Sequence, residues 1–251
     1  MKKIFLCLVL AGCISGTKTP EAQATYSGDW EVLFDGESLN GWHRFNHKGI
    51  PPIWTAKDGV LTFDPALRPE GDYIHDLISD KEFTSFQLSI EWNIAEGGNS
   101  GVFWAVQEAE GLHKPYSTGP EIQVLDNERH PDAKANPKFH QAGALYDMVQ
   151  PTADVCNPAG QWNHVVLTVD HNKNEGSVVL NGTEIVTFTV HGPEWDALVK
   201  ASKFGNTEAS NFTHAPKFGT LVIGLYFPTK LYSCTVFGNC SLITKLCITI
   251  C

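Results

Sequence analysis

The chain has 251 residues and a formal net charge of −10, with 42% hydrophobic and 11% aromatic residues, including seven Trp, and 22 Gly. That length buries a sizeable core as one large all-β domain or two small ones. The acidic excess excludes a phosphate-neutralising surface, so nucleic acid is not an expected partner, whereas carboxylates, amides and aromatic rings are what a sugar-binding face is built from.

The first residues read as an export signal rather than a folded element. Lys2 and Lys3 precede an apolar run over residues 4–10, and small residues follow. The run is too short to span a bilayer. Leu10-Ala11-Gly12-Cys13 resembles the bacterial lipobox, in which Cys13 becomes the lipidated first residue of the mature protein. This predicts a cell-envelope protein attached to the membrane by its lipid anchor only, with residues 14–26 as a flexible tether. The other cysteines form no disulfide framework. Cys7 lies in the signal, Cys156 stands alone, and Cys234, Cys240, Cys247 and Cys251 crowd the end at spacings that match no zinc or redox pattern.

From residue 30 onward the text is that of strands and turns. Residues 30–34 read as a strand, and Asp35-Gly36 and Leu39-Asn40-Gly41-Trp42 as a turn into a core Trp. Residues 53–55 and 60–63 are two strands about the Asp58-Gly59 turn, and residues 76–79 and 86–93 are the next two. In residues 86–92 apolar side chains alternate with Gln87, Ser89 and Glu91. Residues 97–101 read as a tight glycine loop. Residues 101–107 form a strand buried on both sides, with Val102, Trp104 and Val106 on one face and Phe103 and Ala105 on the other. In residues 121–126 alternation places Glu121 and Gln123 on one face, roughly 7 Å apart by the strand rise.

Residues 127–142 have no period and are rich in charge, the composition of a binding loop carried by a rigid sheet. Residues 144–148 return to the sheet and residues 162–170 form a strand. Residues 177–186 are a hairpin about Asn181-Gly182, a pair that accepts positive φ at both turn positions. Residues 193–204 are the one short helix, opened by Pro193, and residues 221–225 read as a further buried strand.

Several ordered motifs carry a resemblance. Asp35-Gly36 with Leu39-Asn40-Gly41-Trp42, the segment 97–101, the segment 119–127, His130-Pro131-Asp132-Ala133, the segment 142–146 and the segment 158–163 together resemble the 3-keto-disaccharide hydrolase family over about residues 29–225. The resemblance implies an all-β, concanavalin A-like and laminin-G-like jelly-roll β-sandwich that cleaves oligosaccharides or glycosides already oxidised at C3. Members of that family end with Gly-Leu-Gln-Asp-His-Gly and a closing strand, whereas here Gly224-Leu225 is followed by Tyr226-Phe227-Pro228. All 28 acidic residues precede residue 209, so residues 226–251 are expected to be an atypical tail, either the product of a shifted reading frame that leaves the jelly roll without its last strand or a divergent tail whose residues 231–250 pair as a hairpin.

A C3 ketone acidifies the hydrogen on C2, so a base that removes it can expel the C1 substituent, after which water adds back. Glu121, His130 and Asp132 are the candidate catalytic groups. Glu91, Asn99, Ser100, Tyr116, Gln123, Asp126, Lys134 and Tyr146 are the candidates to hold the sugar. A divalent metal ion is an optional cofactor, with Asp126, His130 and Asp132 as its candidate ligands. A non-catalytic carbohydrate-binding sandwich is the alternative reading, because the fold alone does not choose between them.

Overall fold

The computed structural model describes residues 30–71, 75–112, 114–206, 219–225 and 242–250, the last two segments as backbone and pairing. The export signal, Cys13, the tether and residues 226–241 of the tail lie outside them. The described strands form two antiparallel sheets. The five-stranded sheet runs in the order β2 (Trp42–Arg44), β5 (Leu77–Phe83), β12 (Gly219–Leu225), β7 (Asn99–Val106), β8 (Glu121–Leu125). The eight-stranded sheet runs β11 (Thr183–Phe188), β10 (Glu175–Leu180), β9 (Trp162–Asp170), β6 (Phe86–Asn93), β13 (Leu242–Ile250), β4 (Val60–Phe63), β3 (Trp54–Lys57), with β1 (Trp30–Val32) paired to β13.

Period-two alternation explains how the layers close. Leu88, Ile90 and Trp92 of β6 share one buried cluster with Val165 and Leu167 of β9 and with Val102, Trp104, Ile122 and Val124 of the opposite sheet. Two sheets that bury such faces against each other are the sandwich the sequence predicts. Trp195 and Val199 of helix α2 (Pro193–Ala201) join the same core. The predicted hairpin is present, with φ of 49° at Asn181 and 81° at Gly182.

Two strands, β7 and β13, differ from their reading. In β7, Val106 pairs with Thr220 and Phe103 with Val222, so Trp104 and Ala105 together face Leu221 alone. This bulge, with Ala105 at φ 56°, resets the alternation. Val102, Trp104 and Ala105 therefore pack in the sandwich core, while Phe103 and Val106 form a second cluster with Phe45 and Ile78 on the sheet's outer face. Asn99 to Gly101 belong to β7 rather than to the glycine loop. Finally, the place of the closing strand is filled. β13 lies between β6 and β4, its Lys245, Cys247 and Thr249 in register with Glu91, Ser89 and Gln87.

Candidate functional site

β8 carries the site on the outer face of the five-stranded sheet. Ile122 and Val124 point into the core, so Glu121 and Gln123 point away from it. Alternation is right about their shared face and wrong about its openness, since Glu121 is 3% and Gln123 1% exposed. The cover comes from residues 127–147. Gly143 N–H donates to Gln123 O at 2.8 Å, Gln123 N–H to Ala144 O at 3.1 Å, and Tyr146 N–H to Glu121 O at 2.9 Å, which lays this segment along the edge of β8. Across the sheet, a Cβ at Gly101 would lie 1.9 Å from Glu121 Oε1, so the carboxylate occupies the space that glycine leaves.

Above Glu121 and Gln123 stands a polar cluster centred on Asp132. Its Oδ2 accepts from Tyr146 Oη at 2.9 Å and from Gln123 Nε2 at 3.4 Å, and its Oδ1 bonds His140 Nδ1 at 2.9 Å. The other ring nitrogen of His140 lies 3.0 Å from Asp147 Oδ1. The imidazole stacks on Tyr146 with centroids 4.3 Å apart. Burial pushes the Tyr146 hydroxyl well above the usual tyrosine range, and the charge and hydrogen bond of Asp132 push it further. Tyr146 is thus a proton donor to Asp132 and not a base. Burial also raises Asp147, but the bonds from Lys203 N–H, His140 and Asn136 outweigh it and hold the carboxyl below its ordinary value.

The other predicted site residues divide by position. His130 Nδ1 accepts the backbone N–H of Asp132 at 3.1 Å and so caps the single helical turn α1 (Asp132–Ala135). Burial lowers its pKa against the charges of Asp132 and Asp126. Asp132 has both oxygens engaged, with Tyr146 and Gln123 on one and His140 on the other.

Asp126, 2% exposed, accepts the N–H groups of Glu128 and Arg129 on one oxygen and of Gly97 on the other. It ties the glycine turn to the polar loop. Among the described residues no group of three or more His, Cys, Asp or Glu is arranged to hold a metal ion.

Glu91 is elsewhere. β6 lies in the other sheet, and Glu91, alternating with Ile90 and Trp92, is on that sheet's outer face in register with His164 and Lys245. Ser100, 1% exposed, has the parity of Val102 and faces the interior. Asn99 shares the parity of Gly101, opposite Leu125, and its buried Oδ1 has no hydrogen-bond partner among the described residues. Lys134 is exposed on α1, and Tyr116 is 38% exposed on the 3-10 turn (Pro115–Ser117) that leads to β8.

His140, Asp147 and Lys203 are the cluster members that sequence reasoning missed. Lys203 N–H donates to Asp147 Oδ2 at 2.7 Å, and its Nζ lies 4.1 Å from the Tyr146 ring centroid. His140 belongs to the charged loop, which was a usable signal. Lys203 follows a helix far along the chain, and its partners are visible only in space.

Two antiparallel sheets that share one core place the molecule among concanavalin-like jelly rolls. Its fold matches that of a crystal structure of a provisionally assigned glycosyl hydrolase from Parabacteroides distasonis, with a TM-score of 0.73 at 24% identity over 88% of this chain and 94% of that one. It also matches a non-specific endo-β-1,3(4)-glucanase of family GH16, with a TM-score of 0.53 at 10% identity over 90% and 92% of the two chains. The family profile of the 3-keto-alpha-glucoside-1,2-lyase-like domain matches residues 29–226, and the chain belongs to that family. Over 187 residues it is 35% identical to the 3-keto-disaccharide hydrolase of Bacteroides thetaiotaomicron, covering 69% of this chain. The chain spans 63% of that relative's length.

Proposed function

We propose that this protein cleaves glycosides oxidised at C3, with Glu121 as the base that removes the C2 proton. The observation that carries this reading is the Glu121 carboxylate itself. It is 3% exposed, seated over Gly101, and within electrostatic reach of Tyr146 and Lys203. A carboxylate held away from water in a polar cluster is suited to proton abstraction next to a carbonyl. The electrons of the C2–H bond are held as the enolate of the C3 ketone and then form a C1–C2 double bond as the C1–O bond breaks. The leaving oxygen takes up a proton, and water then adds across the double bond, hydroxyl to C1 and hydrogen to C2. The names of the family and of the Bacteroides thetaiotaomicron relative support the C3-oxidised substrate.

The test is release of 4-nitrophenol from 4-nitrophenyl 3-keto-glucoside by the purified protein. Glu121→Gln is expected to lower kcat by at least about a hundredfold. Binding of the glycoside without release by the wild type would instead make the protein a carbohydrate-binding module. Localisation follows from Leu10-Ala11-Gly12-Cys13: Cys13→Ala is expected to move the protein from the membrane pellet to the soluble fraction, because stable attachment takes two lipid chains. A variant that still sediments with membranes removes the anchor.

A further inference from the structure

The ammonium of the cluster comes from outside the polar loop and outside every sequence motif. Lys203 starts from a fixed point, because Asp147 Oδ2 holds its backbone N–H at 2.7 Å. Its Nζ sits over the Tyr146 ring at 4.1 Å and 5.3 Å from the Phe204 ring centroid. Burial lowers its pKa, against the charges of Glu121, Asp147 and Asp132, which raise it. As a residue Lys203 is exposed, whereas Glu121, whose charge acts on it, is buried.

The other donors nearby are committed. Tyr146 gives its only proton to Asp132, Gln123 Nε2 donates to the same carboxylate, and both nitrogens of His140 face carboxylates. Lys203 is the charged donor whose Nζ carries no hydrogen bond or ion pair among the described residues. An ammonium beside a base, with its N–H groups still to give, is the arrangement that a developing oxyanion requires.

Resting on the function proposed above, we propose that Lys203 is a catalytic residue that hydrogen-bonds the C3 carbonyl oxygen of the substrate and stabilises its negative charge. When Glu121 takes the C2 proton, the electron pair of that bond makes the C2–C3 bond double and the π pair of the C3 carbonyl moves onto its oxygen. Lys203 keeps its proton and shares it with the oxyanion. The charge then returns through C2 to break the C1–O bond, and the departing oxygen is protonated. Nothing is oxidised or reduced overall.

The experiment compares wild type, Lys203→Met and Lys203→Arg on 4-nitrophenyl 3-keto-glucoside. Aglycone release is read by absorbance, and exchange of the C2 hydrogen in D2O by NMR. Lys203→Met is expected to lose at least about a hundredfold in kcat and in C2 exchange, the usual cost of removing one oxyanion donor, with KM within about threefold. Lys203→Arg should recover part of the loss, and added methylammonium should recover part of it in Lys203→Ala. Each variant must melt within about 2 °C of the wild type, as an exposed position allows; where Lys203→Met does not, Lys203→Arg and the amine rescue decide.

A loss of less than about tenfold, or a larger loss that neither arginine nor the amine relieves, overturns the proposal. Wild-type protein that neither exchanges C2 nor releases the aglycone overturns the function on which the proposal rests. Wild-type turnover that survives in Lys203→Met overturns the role of Lys203 alone.

Discussion

Gly101 is the residue on which the placement of Glu121 depends. A methyl group there would meet Oε1 at 1.9 Å, Cδ at 2.6 Å and Cγ at 2.8 Å, and Glu121, 3% exposed, has little room in which to yield. Gly101→Ala is therefore expected to cost about 1–3 kcal/mol, as overpacking does, and to lower turnover by displacing the base. Equilibrium unfolding of Gly101→Ala, Glu121→Ala and the double variant gives the coupling energy. If Gly101→Ala costs as much without the Glu121 side chain as with it, the contact is not its cause.

Sequence alternation was enough to put Glu121 and Gln123 side by side. It could not show that they are buried, because the cover comes from residues 127–147, which have no period. The same limit explains Asp126 and His130. Their residue types suit a ligand, yet the Asp126 carboxylate and His130 Nδ1 accept backbone N–H groups, a use that composition does not reveal.

At the scale of elements, His43 of β2 joins pieces that are distant in the chain. Its Nδ1 lies 2.6 Å from Asp80 of β5, and its Nε2 lies 2.9 Å from Glu108, which follows β7. Burial pulls its pKa down, but the bonds and charges of Glu108 and Asp80 prevail and raise it above 6.5. A folded-state pKa above the unfolded one contributes stability that is complete below about pH 6.5 and is lost as pH rises through the folded value. Both carboxylates are partly exposed, so each pair is worth no more than about 0.2–1 kcal/mol.

Thermal unfolding from about pH 6 to about pH 9 is expected to show a falling Tm in the wild type and a flatter profile in His43→Gln. His130, whose pKa is lowered, acts in the opposite direction, and it is common to both proteins. Equal slopes would mean that the clamp contributes nothing. Strand positions were the most legible elements. β6 and β9 match their predicted bounds, since each offers eight or nine residues of clean alternation. The bulge in β7 was not legible, because one extra residue leaves the hydrophobic text unchanged while moving Val106 to the other face.

For the molecule as a whole, the decisive element is the one that the sequence reading discounted. The tail lacks acidic residues and departs from the family pattern after Leu225, and on composition alone it looks foreign to the domain. Yet β13 pairs with β6 over residues 243–250, with β4 over 242–244 and with β1 over 247–249. It thus bridges the two halves of the eight-stranded sheet. Without it β6 would have an open edge, and β3 and β4 would lose their hydrogen-bonded connection to the rest of the sheet.

Leu246, in register with Ile90, is the position at which to test this. Proline there locks φ and interrupts the pairing with β6 in a strand whose flanking residues are paired on both sides, a substitution that central strands do not accommodate. Leu246→Pro is expected to cost about 3 kcal/mol or more, and deletion of residues 242–251 to abolish the cooperative unfolding transition. Proline at Glu31 in β1, paired on one side only, should cost less. If Leu246→Pro melts within a degree or two of the wild type, β13 is not the strand that closes the sheet, and the atypical tail is dispensable to the sandwich.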